Sequence, residues 1–197
     1  MSITEEHIIE EHPFEPFLPK HAKLLMLGSF PPQEKRWKMK FYYPNFNNDM
    51  WRIFGLIYFN DANHFIDTEQ KLFKETELVF FLNTIGVALY DTAEAVIRLQ
   101  GNAADKDLEV VRPTDVDALL NKLPLCRAIV TTGQKATDTI CQHYGINHLP
   151  KMGDYTEFSA EGRAMKLYRL PSSSRAYPMK LEKKAAFYKE MLNEIGL

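Results

Sequence analysis

Three short polar loops hold most of the residues of this chain that can do chemistry. Gly28-Ser29-Phe30-Pro31-Pro32 follows the apolar run 23–28, Asp91-Thr92-Ala93-Glu94 follows residues 86–90, and Pro171-Ser172-Ser173-Ser174 follows residues 164–170. Hydroxyls and backbone N–H groups of this kind bind polar ligands and stabilise developing charge. The first loop is neither G-x-G-x-x-G nor G-x-x-x-x-G-K, so the usual nucleotide-phosphate cradles are disfavoured. The Asp91–Glu94 stretch has the form of a capping box, so Asp91 reads as a helix cap rather than a catalyst. Asn47 or Asn48 can likewise cap a helix over Met50, Trp51, Ile53, Phe54, Ile57 and Tyr58. The histidines, His7, His12, His21, His64, His143 and His148, show no zinc spacing, and the two cysteines, Cys126 and Cys141, form no C-x-x-C pair. No metal and no cofactor is expected.

The elements that must position these loops read as alternating strands and helices. Residues 23–28 form a short continuous apolar run and read as a buried strand, 127–133 as a second one, 86–90 as a short strand, and 155–158 with 164–170, flanking Glu161-Gly162, as a hairpin leading into a last core strand. Helices are expected over 50–58, about 68–83, after Asp91, after Thr114, from 134 to about 144, and from about 178 to 195. Residues 101–107 read as a polar loop. Strand–helix alternation of this kind implies an α/β fold with a largely parallel sheet covered on both faces. In such folds the ligand site lies beyond the carboxyl ends of the strands, where all three polar loops begin.

At 197 residues, 45% hydrophobic and 25% charged, the chain has the composition of one globular domain spanning 1–197, with residues 1–20 as an acidic N-terminal leader. The acidic start lacks a basic n-region and no apolar run approaches the roughly 18 residues of a membrane span, so a cytoplasmic protein is expected. Net charge is −2, but it is unevenly spread. Residues 1–16 carry five acids and no Lys or Arg, residues 20–40 are net +5, and residues 162–184 are net +6. The two basic segments read either as one positive face for nucleic acid or as two unrelated solvated surfaces.

Five pieces in order resemble the uracil-DNA glycosylase superfamily. Leu27-Gly28-Ser29-Phe30-Pro31 is similar to the L-G-S-F-P motif of the branch acting on deoxyinosine. Tyr42-Tyr43 with Asn48-Asp49-Met50-Trp51 resembles its Y-Y…N-x-F-W stretch. Gly86-Val87-Ala88-Leu89-Tyr90-Asp91, with Arg98 and Asp105, resembles G-x-x-L-W-D…R…D. Val130-Thr131-Thr132-Gly133 with Ala136 resembles F-T-G…A, and Leu170-Pro171-Ser172-Ser173-Ser174 resembles L-P-S-T-S. The mismatch-specific uracil/thymine enzymes are more distantly similar.

This resemblance implies a three-layer αβα sandwich around a mostly parallel four-stranded sheet. It implies a monomeric enzyme acting on DNA in base-excision repair. A damaged base would be flipped out of the duplex and its N-glycosidic bond hydrolysed, with hypoxanthine the preferred base and uracil or xanthine as further substrates. It assigns Asn48 as the catalytic residue. Gly28, Ser29, Phe30, Tyr43 and Ser172 would hold the base, with Tyr43 stacking on it. Ser174, Arg175, Tyr177 and Lys38 would contact DNA. No lysine matches a nucleophile, so no lyase step is expected.

The chain also departs from the pattern. Phe30 stands where uracil-cleaving relatives carry Asn or Asp, and Ser172 where they carry His or Asn. Pro44-Asn45-Phe46-Asn47 replaces a stretch that usually contains His-Pro-Arg, and Arg175 replaces a Pro. Two other readings therefore stand beside the enzyme: a glycosylase-fold module that binds DNA or a nucleobase without cleaving it, and an unrelated small-molecule α/β enzyme.

Overall fold

A computed structural model describes residues 8–99 and 107–197. Asp105, part of the third motif, and His7 lie outside them. The first described segment holds a short strand, β1 (Ile9–Glu11). The apolar run that follows is β2 (Leu24–Gly28), buried at every position, as a strand covered on both faces must be. Helix α1 (Met50–Phe59) starts after Asp49, and its inner face buries Met50, Trp51, Ile53 and Phe54. The strands β3 (Ile66–Asp67) and β4 (Leu72–Phe73) form a small hairpin, and α2 (Glu75–Ile85) follows. The helix expected over 68–83 is therefore shorter and later. The Asp67 carboxylate accepts the N–H groups of Glu69 and Gln70, and Lys71 is left-handed at φ 54°, so this stretch turns instead of coiling.

β5 (Val87–Asp91) runs parallel to β2, with Gly28 paired with Asp91. The helix expected after Asp91 does not form. Residues 93–98 are strand β6 (Ala93–Arg98), which pairs antiparallel with β1 on one side and with β7 (Leu108–Pro113) on the other. Ala93, Ala95 and Val96 are buried in this second sheet, and that tertiary burial overrides a local Asp-x-x-Glu signal. A helix does open later: α3 (Val116–Asn121), where Asp115 accepts the Ala118 N–H.

β8 (Ala128–Thr131), α4 (Gln134–His143), the hairpin β9 (Tyr155–Ala160) and β10 (Arg163–Arg169), and α5 (Leu181–Ile195) complete the chain. The main sheet has the order β5-β2-β8-β10-β9. β5, β2, β8 and β10 are the four parallel strands expected, and β9 adds a fifth, antiparallel edge. Helices flank the sheet. α1 packs on α5, α2 against β5 and α4 against β8. The acidic leader is docked from residue 8 on: beyond β1, Phe17 exchanges backbone bonds with Leu89 of β5, and the Glu15 carbonyl accepts the Tyr42 hydroxyl. No helix among the described residues is long and apolar enough to cross a membrane.

Candidate functional site

The carboxyl ends of β2, β5, β8 and β10 open into a cavity of about 160 Å³. That is close to the roughly 150 Å³ that accommodates one benzene ring. Its lining draws on residues 28–32, on Tyr42–Asn45 and Asn48, on Asp91 and Thr132, and on Ser172–Ser174. All six residues expected to act on the base, Gly28, Ser29, Phe30, Tyr43, Asn48 and Ser172, meet here, and so does Ser174. Arg175, Tyr177 and Lys38, the other residues expected to touch DNA, are not among the lining residues. Lys38 and Arg175 are exposed and Tyr177 is half-buried.

Gly28 ends β2 beside Asp91. A Cβ at this position would stand 2.5 Å from Asp91 Oδ1, so only glycine lets the Asp91 carboxylate close over the strand end, while the Tyr43 hydroxyl oxygen, 3.6 Å from the same point, lies at ordinary contact distance. Tyr43 is held in the left-handed region at φ 52°, a conformation that is costly for an aromatic residue. Its hydroxyl lies 3.1 Å from Thr132 Oγ1, and its ring meets Trp51 edge-on at 5.7 Å. The ring is thereby fixed at both ends. Phe30 packs edge-on against the His12 ring, and the Arg98 guanidinium lies 5.7 Å from its ring centre.

Asn48 Oδ1 accepts the Met50 N–H at 2.9 Å, at the start of α1. The side chain keeps its two N–H donors, and one lone pair of Oδ1, for a ligand. The chain around it is paired with the last loop. Asn48 bridges to Ser174, and Asp49 donates its N–H to the Ser173 carbonyl at 2.8 Å. Ser172 Oγ accepts the Ser174 N–H and Ser174 Oγ accepts the Ala176 N–H, both at 3.2 Å, which leaves each hydroxyl its proton to donate. The amide and both hydroxyls thus present donors to whatever occupies the cavity.

A buried ion cluster stands behind this loop pair. The Asp49 carboxylate lies 3.0 Å from Arg175 Nε and 3.4 Å from Lys184 Nζ, and Lys184, with no exposed surface, also donates to the Ser174 carbonyl at 2.7 Å. Arg52 donates to the Phe46 and Asn48 carbonyls. Burial, and then the neighbouring Arg175 charge, lower the Arg52 pKa, while Asp49 opposes the shift. Tyr188 of α5 donates to the Pro171 carbonyl, and its burial raises its pKa well above the usual value. Most cations of the second basic segment are therefore engaged by partners within the chain: Arg163 donates to carbonyls at 120 and 123, Lys166 pairs with Glu194 and Arg169 donates to Gln134 at the surface, and the exposed Arg175 and the buried Lys184 share Asp49.

Sequence reasoning missed one part of the site. Asp91 caps no helix. It ends β5 with only 6% of its surface exposed, its Oδ2 lies 2.8 Å from His12 Nε2, and it lines the cavity. The His12 side chain is 3% exposed, set among Phe14, Phe30, Tyr42 and Tyr90. The Asp91 charge adds to burial in raising the Tyr42 pKa. Burial is also the main cause of the Tyr90 shift, to about 12, with Glu94 and then Asp91 adding to it. Among the described residues no group of three or more His, Cys, Asp or Glu is arranged to hold a metal ion.

The architecture has a solved counterpart. The chain is similar to a protein from Methanosarcina acetivorans, described as a candidate uracil DNA glycosylase and solved by solution NMR, at a TM-score of 0.63 over 96% of this chain and 100% of that one. The fold is uracil-DNA glycosylase-like. Sequence identity between the two is 20%, so the likeness is one of architecture. No protein-family model and no curated protein matches the sequence.

Proposed function

We propose that this protein is a monofunctional DNA glycosylase that hydrolyses the N-glycosidic bond of a flipped, deaminated base, with hypoxanthine preferred and uracil or xanthine accepted. The observation that carries the reading is the convergence of Gly28–Phe30, Tyr43, Asn48 and Ser172 on one cavity of aromatic-ring size. The glycosylase-like fold supports it. A planar base entering there would stack on Tyr43, an interaction worth about 1–3 kcal/mol. Bond cleavage leaves negative charge on the departing base and positive charge on the sugar. The Asn48 amide N–H would donate to the base as that charge grows. One well-placed donor contributes roughly 3–4 kcal/mol in the transition state. Ser174, Arg175, Tyr177 and Lys38 would contact the DNA around the flipped nucleotide, the hydroxyls and cations chiefly at phosphates.

The test is excision by the Asn48→Ala and Tyr43→Ala variants. Each is expected to cleave at least tenfold more slowly than the native protein, about 1.4 kcal/mol, while remaining folded. Unchanged excision in both would remove the assignment.

A second reading is a module that binds DNA or a base without cleaving it. Phe30 favours it, because a ring packed between His12 and Arg98 can neither accept a proton from water nor orient one. Salt-dependent binding to abasic or hypoxanthine-containing duplex, with no excision at enzyme excess, is what this reading requires.

A further inference from the structure

We infer that Asp91, held by His12, is the group that activates the attacking water in this cavity. The inference rests on the glycosylase reading above and supplies the base that Phe30 and Ser172 cannot. Among the described residues lining the cavity, Asp91 is the one with a charged side chain. Its two oxygens have different surroundings. Oδ2 is engaged by His12 Nε2 at 2.8 Å, while Oδ1 lies over Gly28, a neighbour in the cavity lining, at a place a Cβ there would crowd at 2.5 Å.

His12 acts as a positioning residue. Its Nδ1 lies 2.9 Å from the Phe14 carbonyl oxygen and 3.1 Å from the Phe14 N–H. In the neutral ring, Nδ1 accepts that N–H and Nε2 carries the proton; in the imidazolium, Nδ1 donates to the carbonyl and Nε2 still carries a proton. Either form donates from Nε2 to Asp91. The aromatic residues around His12 fix the ring plane, and the pairing of β1 with β6 brings this part of the chain to the site.

The chemistry balances without a further reactant. A water molecule gives a proton to Asp91 Oδ1 and its oxygen bonds to the sugar C1′. The C1′–N bond breaks and its electron pair leaves on the base. The base takes a proton from solvent, Asp91 returns its proton to solvent, and the products are the free base and an abasic sugar. A neutral amide at position 91 would keep the shape and lose this acceptor.

Single-turnover excision of a duplex carrying hypoxanthine, uracil or xanthine, with protein in excess, tests the proposal. Asp91→Asn is expected to lower the maximal rate at least 100-fold while binding to an abasic duplex and the melting temperature stay close to those of the native protein. Sodium formate is expected to restore part of the rate to Asp91→Ala, and sodium chloride at equal ionic strength is not. His12→Asn is expected to lower the maximal rate at least tenfold without changing the protein concentration that gives half-maximal rate. If the native protein cleaves and Asp91→Asn cleaves within threefold of it, the role of Asp91 is overturned and the glycosylase reading stands. If the native protein cleaves none of the three duplexes, both fall. Should Asp91→Asn not fold, His12→Asn decides: a native maximal rate in that variant overturns the proposal.

Discussion

The two sides of the cavity are built on different principles. The side made by β2 and β5 is sheet. Gly28 and Asp91 are partners in a parallel ladder, so strand register brings Asp91 to the cavity and His12 holds its carboxylate there. The side made by residues 45–49 and 172–175 is two loops, joined by a few backbone bonds and by a buried carboxylate shared between Arg175 and Lys184. The sheet side presents an acceptor, and the loop side presents donors from Asn48, Ser172 and Ser174. A reaction that separates charge between a sugar and a base needs both. The ladder fixes the backbone on one side, and on the other the ion cluster ties Asp49 to Arg175, Lys184 and the Ser174 carbonyl.

This contrast breaks most readily at Asp49. Asp49→Ala leaves Lys184 buried without its counter-charge. Removing one partner of such a pair costs about 3–5 kcal/mol. In a chain of this size, where each kcal/mol moves the midpoint by roughly 2–4 °C, thermal unfolding is expected to fall by about 6–20 °C. A midpoint within a degree or two of the native value would mean that the loops hold each other without the cluster. Tyr43→Ala sharpens the comparison from the ligand's side. Loss of stacking is expected to weaken binding to a base-modified duplex by about 1–3 kcal/mol, measured by fluorescence anisotropy against the native protein, with little change in binding to undamaged duplex. Equal weakening on both duplexes would make Tyr43 a structural residue. The smallest effect belongs to Lys38, exposed outside the cavity. Lys38→Ala is expected to reduce the slope of log affinity against log salt by about 1, leaving lesion preference intact. An unchanged slope would take Lys38 off the DNA path.

What the amino-acid sequence shows of this molecule follows the range of its signals. β2, β5 and β8 are legible because each is a continuous apolar run, buried along its length and ended by a polar or glycine residue, whereas β10, with Arg163, Lys166 and Arg169 in a half-buried pattern, is legible from the Glu161-Gly162 turn that precedes it. The loops at 28–32 and 172–174 are legible too: they follow those strands with Ser, Gly and Pro. Residues 93–98 are not, because Asp-x-x-Glu is a local pattern and β6 owes its form to pairing with β7 on one side and, more than 80 positions away along the chain, with β1 on the other. The hairpin at 66–73 hides behind a single Asp67 side chain that turns the backbone. The His12–Asp91 pair spans 79 positions and has no local signature at all. An acidic leader and a supposed cap become one buried pair only once β1 is laid against β6. The ion cluster at Asp49 is hidden in the same way, since Arg175 and Lys184 read as part of a basic surface until their partners are seen.

The central claim is that the cavity is a site of base excision, and single-turnover cleavage by the native protein tests it most directly. End-labelled duplexes carrying hypoxanthine, uracil or xanthine would be incubated with excess protein and heated in alkali to break abasic sites. Asn48→Ala prepared in parallel would exclude a contaminating glycosylase. The account expects strand scission of the hypoxanthine duplex, at least tenfold slower with Asn48→Ala. Absence of scission of all three duplexes, with binding to the abasic duplex retained, would contradict it and leave the fold as a scaffold for binding alone.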